Sequence, residues 1–261
     1  MGDNSSGAKT LERGLGLLDH VAEGVTRLDD IARAAQLSRS STHRMLTSLV
    51  STGYLSLDTN HEYHLGIKLL QLGTLAQQTI DISREVQAVL EGLSARTLDA
   101  THLGILVGAD VLYLAKARGH RGIEMMSRPG ARLRAQNTAM GKVLLSALPN
   151  ADAASRFDAN AAQTPNSART VDEFLAGLDD TRRRGFAIED QENELGITCV
   201  SIGIPDAHGR ATAAVSVSAP SVYMPRSRCD EVVQYLRDIQ LELSRLLPAG
   251  FESRWAATPI A

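Results

Sequence analysis

Seven consecutive residues, Ser38-Arg39-Ser40-Ser41-Thr42-His43-Arg44, carry four hydroxyls, two guanidinium groups and an imidazole. That chemistry suits contact with a polyanion. Arginine can reach guanine O6 and N7 with two donors. Small hydroxyl residues let a helix sit deep in a groove and donate to phosphates. No acidic residue occurs between Asp30 and Asp58, and Arg33 lies in the same stretch. Phosphate contacts favour such a cationic face without competing carboxylates. The plainer readings of the same residues are a solvated helix face or a winged-helix surface for another protein.

A second set lies towards the C-terminus. Ser216 and Ser218 are two apart in an alternating run, so they share one face of a strand. Two hydroxyls on an apolar face need partners or a polar cavity. Thr138-Ala139-Met140-Gly141 opens a helix, whose free N–H groups favour an anion. Together these make a carboxylate cradle. Cys199 reads as a small buried hydrophobe. As a nucleophile, in a hydrolase, it would want a nearby histidine. His102, His120 and His208 are the candidates, and the last two fall in turns. Gly141-Lys142 resembles the end of a phosphate-binding loop but lacks the following Ser/Thr and the upstream glycine. Ser6-Gly7-Ala8-Lys9 fits Ser-x-x-Lys, in a segment expected to be floppy. Neither His-Glu-x-x-His nor Gly-x-Ser-x-Gly occurs. The expectation is a protein that is not an enzyme and uses no cofactor or metal.

Elements must position these groups. Leu11, Leu15, Leu18 and Val21 recur at helical spacing, and Leu17 widens the stripe. Leu28, Ile31, Ala32 and Ala35 mark a shorter helix, with Thr26 and Asp29 as a weak capping box. After a tight turn, Ser38 is the N-cap of a third helix running to about Ser51, closed by Gly53. Tyr54–Leu57 and Glu62–Leu65 then read as a hairpin. Three helices and a hairpin make a winged helix-turn-helix. Its wing offers His61, Tyr63 and His64 to a duplex. Gly66–Thr79 reads as a helix whose Leu69, Leu70, Leu72 and Leu75 are too apolar for a free connector, so a second copy of the chain is expected against it. From Thr101 the period becomes two. Hairpins are expected at 102–117 and 197–218, and further strands at 121–127 and 133–135. Helices are expected at 82–97, 139–148, 171–184 and 226–247, with 151–169 ambiguous. Helices flanking a mostly antiparallel sheet make an α+β domain. The expected division is a disordered tail 1–9, a winged helix 10–66, a linker helix 67–81, an effector domain 82–248 and a tail 249–261.

The composition is that of an ordinary globular chain. Of 261 residues, 43% are apolar and 22% charged, which excludes disorder of the whole chain. The net charge of −3 gives no global sign of nucleic-acid binding, so the local pattern carries that reading. Two cysteines cannot form a disulfide framework and suggest a reducing compartment. No apolar run is long enough for a membrane span. MGDNSS formally fits a myristoylation pattern, without a second anchoring signal. A cytoplasmic protein is expected.

LDDIARAAQLSRSSTHRMLTSLVSTGYLSLDTNHEYHLGIKLLQLG resembles the N-terminal domain of the IclR family of bacterial transcription regulators. Leu28-Asp29-Asp30-Ile31-Ala32, Leu37 through Leu46, Gly53-Tyr54 and Tyr63-His64-Leu65-Gly66 fall in the family's order. Arg132-Leu133 through Lys142, Arg184-Gly185-Phe186-Ala187, Glu189 through Cys199, and Ala214 through Pro220 resemble its second domain. The resemblance spans about residues 10–248. It implies operator binding through the winged helix and a small carboxylate or aromatic acid in a GAF-like effector domain, in a dimer or tetramer, acting as a repressor or an activator, with repression the expected mode. The DNA-facing set it supports is Arg33, Ser38, Arg39, Ser40, Ser41, Thr42, His43, Arg44, Tyr63 and His64. Carried over to the effector site, Ala139 and Met140 supply N–H groups, while Glu189, Cys199, Ser216 and Ser218 line it. His102, Leu106 and Met125 are further candidate walls. Two departures stand out: Glu189 replaces the family's usual Asp, which would shrink the cavity, and Ala219 replaces its Gly.

Overall fold

The computed structural model describes residues 4–79, 83–121, 127–247 and 250. The chain divides into two compact units, 1–81 and 82–261.

The first unit begins with helix α1 (Asn4–Ala22), followed by α2 (Leu28–Ala34) and α3 (Arg39–Ser51). The hairpin β1 (Leu55–Leu57) and β2 (Tyr63–Leu65) is antiparallel, and α4 (Ile67–Thr79) follows it. The expected winged helix-turn-helix is present. Several details differ from expectation. α1 reaches back to Asn4, into the segment expected to be a tail, because nothing from Ser5 to Lys9 is a proline that would stop it. Leu17 and Val21 enter the core with Ile31, Leu46, Leu55 and Tyr63, whereas Leu11 and Leu15 stay exposed. Thr26 does not cap α2. Arg27 takes that position without a side-chain bond, and the Thr26 carbonyl instead accepts the Tyr63 N–H at 2.8 Å.

The second unit is an α+β layer. α5 (Arg84–Thr97) precedes β3 (Ala100–Val107), β4 (Asp110–Ala117) and β5 (Arg132–Arg134). Then come α6 (Ala139–Ser146), α7 (Asn150–Ala154) and α8 (Val171–Arg184). β6 (Ala187–Asp190), β7 (Ile197–Pro205), β8 (Ala211–Pro220) and α9 (Arg226–Leu246) complete it. The six strands run in the order β5-β4-β3-β8-β7-β6, every pair antiparallel. The short strand β6 escaped the sequence reading, since four residues are too few to show a period. α7 and a 3-10 turn at Ala159–Ala161 settle part of the ambiguous stretch. The strand expected at 121–127 falls largely outside the described residues.

Strand alternation divides the sheet into two faces. Thr101 donates its hydroxyl to the Leu90 carbonyl of α5 at 3.0 Å, so α5 covers one face. His102 faces the other way, with α6 and α8. There Val111, Met140, Leu144, Phe174, Leu178 and Ala214 form a buried cluster.

Candidate functional site

On the first unit, Ser38 caps α3. Its hydroxyl accepts the Ser41 N–H at 3.3 Å, which fixes where the helix begins. Arg39, Ser40, His43 and Arg44 are exposed, as expected of a reading face, and Ser41 is half-buried. Thr47 and Ser48 extend that exposed face and were missed, because no charge marks them. Thr42 is not on it. It is fully buried, and its hydroxyl donates to the Ser38 carbonyl at 3.1 Å. At helical spacing Thr42 and Leu46 lie on the inward side. Tyr63 is likewise a core residue, 6% exposed, and its burial raises the phenol pKa. As the first residue of a paired strand it points inward, leaving His64 outward.

The acid-free run of sequence is not acid-free in space. Asp29 Oδ1 accepts from Arg39 Nε at 2.5 Å, and Asp30 Oδ1 accepts from Arg33 at 2.8 Å. Both pairs are solvent-exposed, so each is worth ~0–1 kcal/mol and yields readily to a phosphate. At the wing, Asp58 Oδ1 accepts the N–H groups of Asn60 and Glu62, at 2.8 and 2.9 Å. Its other oxygen lies 3.2 Å from His64 Nε2. His61 holds a left-handed φ of 59° in the same turn.

On the second unit, the α6 side of the sheet carries a row of polar groups. Register places Glu189 opposite Cys199, Cys199 opposite Ser218, and His102 opposite Ser216. Opposed residues on neighbouring strands point to the same face. These side chains line a cavity of about 480 Å³ that Ala139 and Met140 close from α6. All six expected effector residues are thus brought together, with His102 beside them. Leu106 instead packs against the buried cluster under α6, one pleat away. Met125 lies outside the described residues. The cavity also takes Thr138, expected only as the start of α6, and Tyr113, Ser127, Arg128 and Asn193, which sequence reasoning missed. Tyr113 was detectable only as an alternate position on β4. Glu189 lines the cavity, and Ala219 is buried in β8.

The start of α6 is fixed closely. Thr138 Oγ1 accepts the Gly141 N–H at 3.0 Å. A Cβ on Gly141 would lie 2.0 Å from the Ala135 carbonyl oxygen. Gly141, half of the apparent phosphate-loop motif, is therefore a close-approach residue. Its neighbour Lys142 pairs with Glu192. The Ala139 and Met140 N–H groups come ahead of any intrahelical partner and face the cavity end of the helix dipole.

Electrostatics decide what the cavity can do. Ser127 Oγ lies 2.8 Å from His102 Nε2, and Ser218 Oγ 3.5 Å from Nδ1. Burial, assisted by Lys116, lowers the His102 pKa to about 3, so the ring is neutral. Burial, then the nearby Glu189 charge, raises the Cys199 thiol well above its usual value. A reactive thiolate–imidazolium pair needs the opposite shifts. Burial raises Glu189 to about 7, although the Glu192 and Asn193 N–H groups donate to its Oε1 at 2.5 and 3.1 Å. The chemistry on offer is hydrogen bonding to a small polar ligand.

The family model described as the IclR helix-turn-helix domain matches residues 10–59. The model described as the bacterial transcriptional regulator IclR C-terminal matches residues 74–245. The chain is 33% identical over 244 residues to the HTH-type transcriptional regulator XynR of Escherichia coli, covering 92% of this chain and 97% of that protein. It is similar to the crystal structure of Thermotoga maritima IclR, with a TM-score of 0.69 and 26% identity over 91% and 98% of the two chains. An IclR homologue of Microbacterium hydrocarbonoxydans, solved in complex with 4-hydroxybenzoate, shares the fold with a TM-score of 0.71 at 22% identity, over 91% and 98% of the two chains. With its reading helix, its wing and its ligand-sized cavity in place, the chain belongs to the IclR family of bacterial transcription regulators, and it is a DNA-binding regulator of transcription.

Proposed function

We propose that the second unit senses a small carboxylic acid in its 480 Å³ cavity and that occupancy controls operator binding by the first. One observation carries this reading: Ser216, Ser218 and the N-terminus of α6 converge on the same cavity. Hydroxyl donors and a positive helix end are what a carboxylate requires. Arg128, exposed at the cavity rim, adds a cation. The apolar lining from Met140, Leu133 and Ile197 suits a short aliphatic or aromatic body. The 4-hydroxybenzoate held by the Microbacterium homologue supports an aromatic acid.

The working form is a cytoplasmic homodimer that represses, assembled through α4. On that helix Ile67, Leu70, Leu72 and Leu75 are exposed. The effector acts by favouring one arrangement of two DNA-reading heads, and it shifts DNA affinity only by its differential affinity for that arrangement. The cavity binds its ligand without turnover. A thermal-shift screen of small aliphatic and aromatic acids tests the reading. A hit should raise the melting temperature with concentration and lose that effect in a Ser216→Ala/Ser218→Ala variant. Stabilisation that persists in the variant, or no stabilisation by any acid, overturns it.

A further inference from the structure

Glu189 ends the polar row that crosses the sheet, opposite Cys199, which is itself opposite Ser218. Neighbouring strands lie ~4.8 Å apart, so its backbone is about 10 Å from that of Ser218, and both side chains line one cavity. Glu189 is 1% exposed, and among the described residues no cation lies within ion-pair distance of it. Lys142 of α6 reaches the neighbouring Ile188 carbonyl but pairs with Glu192. Glu192 and Glu194, on the turn after β6, bring only negative charge. From the strands, Cys199, His102 and Tyr113 face the same space, and burial holds all three neutral. Arg128 is the cavity's one cation among the described residues, and it stays exposed at the rim. The Glu192 and Asn193 N–H groups both donate to Glu189 Oε1, which leaves Oε2 to carry a proton.

An acid entering this cavity therefore meets a buried carboxylate without a cation. Two like charges in so dry a space cannot both persist, and the weaker acid of the two takes a proton. We propose that the effector binds together with one proton, taken from solvent onto Oε2 of Glu189, so that the cavity gains no net charge and the sensor responds to acid and pH jointly. The inference rests on the reading of the cavity as a carboxylate site. Ser216, Ser218 and the start of α6 hold the ligand, and Glu189 decides at which pH it stays. Its neutral form offers an O–H donor where the ionised form offers only repulsion.

Calorimetric titration of the full chain with benzoate, 4-hydroxybenzoate and propionate, all monoanions from pH 6 to 8, tests this. Each titration at pH 8 is run in phosphate and in Tris. Their ionisation enthalpies differ, so a proton drawn from the buffer appears as a difference in heat. Uptake at pH 8 should approach one proton per site. Affinity should fall about tenfold between pH 6 and 8, as a group of pKa about 7 loses its proton. Glu189→Gln keeps the shape of the neutral acid, so it should take up no proton and bind about tenfold more tightly than the native chain at pH 8. A merely structural role would weaken the variant at every pH. The buffer comparison uses the native chain alone, so it decides even if the variant fails to fold. Equal heats in the two buffers, with an acid bound, overturn this proposal and leave the carboxylate reading standing. No binding by any of the three acids at pH 6 removes that reading and this proposal with it.

Discussion

Arg39 Nε donates to Asp29 Oδ1 at 2.5 Å, across the turn that joins α2 to α3. Arg44, one turn further along α3, has no such carboxylate among the described residues. The two arginines are therefore not equivalent. Arg39 must release Asp29 before it can serve DNA, whereas Arg44 is ready. Arg44→Ala should cost ~1–3 kcal/mol of operator affinity if it makes a bidentate guanine contact. Arg39→Ala should cost less, and Asp29→Asn should strengthen binding to any duplex. Titrations on an operator recovered by in vitro selection check the ranking, and equal losses for the two arginines would contradict it.

The effector site makes its own demand on Ser218. A hydrogen bond to a charged group contributes ~1.5–3 kcal/mol, so Ser218→Ala should weaken a carboxylate effector roughly 10- to 150-fold. The variant should bind operator normally without effector and need far more ligand to respond. Cys199→Ser should be milder, because the site keeps its shape. Calorimetry with the strongest acid from the thermal screen measures both.

Glu189 gives the second unit a pH dependence. Its folded pKa, raised by burial to about 7, lies above the ordinary value of 4.5. Between those values the folded state holds a proton that the unfolded state has lost. Stability contributed by the neutral acid is thus complete below pH ~4.5 and falls away as pH rises through about 7, by an amount on the order of a few kcal/mol. Glu189→Gln cannot titrate and should flatten that decline. Denaturant midpoints of both proteins from pH 5 to 8 read the difference directly. Parallel curves would mean that Glu189 is ionised throughout.

α4 supplies a test of assembly. Leu69 is half-buried. Leu72 and Leu75 are 39% and 58% exposed and are better targets. Leu72→Glu/Leu75→Glu should yield folded monomers with weak operator binding, because a monomer loses the second half-site. Sedimentation velocity of the variant settles it, and an intact dimer would move the interface elsewhere.

Local signals made much of this protein legible in its sequence. The Ser38 cap, the closing glycines and the change of period at Thr101 depend on neighbouring residues, and backbone chemistry acts over that range. Ser216 and Ser218 could be assigned to one strand face by alternation alone. What the sequence could not reveal was proximity between distant segments. Asp29 meets Arg39 because a turn folds α2 back on α3, so counting acids along the chain overstated the free charge. Thr42 and Tyr63 have polar groups that suit DNA, yet Thr42 gives its hydroxyl to the Ser38 carbonyl and Tyr63 packs its ring in the core, because packing turned their faces inward. His102, Tyr113 and Ser127 joined Glu189 and Cys199 only through strand order β4-β3-β8-β7-β6, which no single stretch encodes. Side-chain type and period are fixed by covalent neighbours. Burial, and with it every shifted pKa in the cavity, is fixed by which segments displace water from one another, and that is settled only when the whole sheet closes.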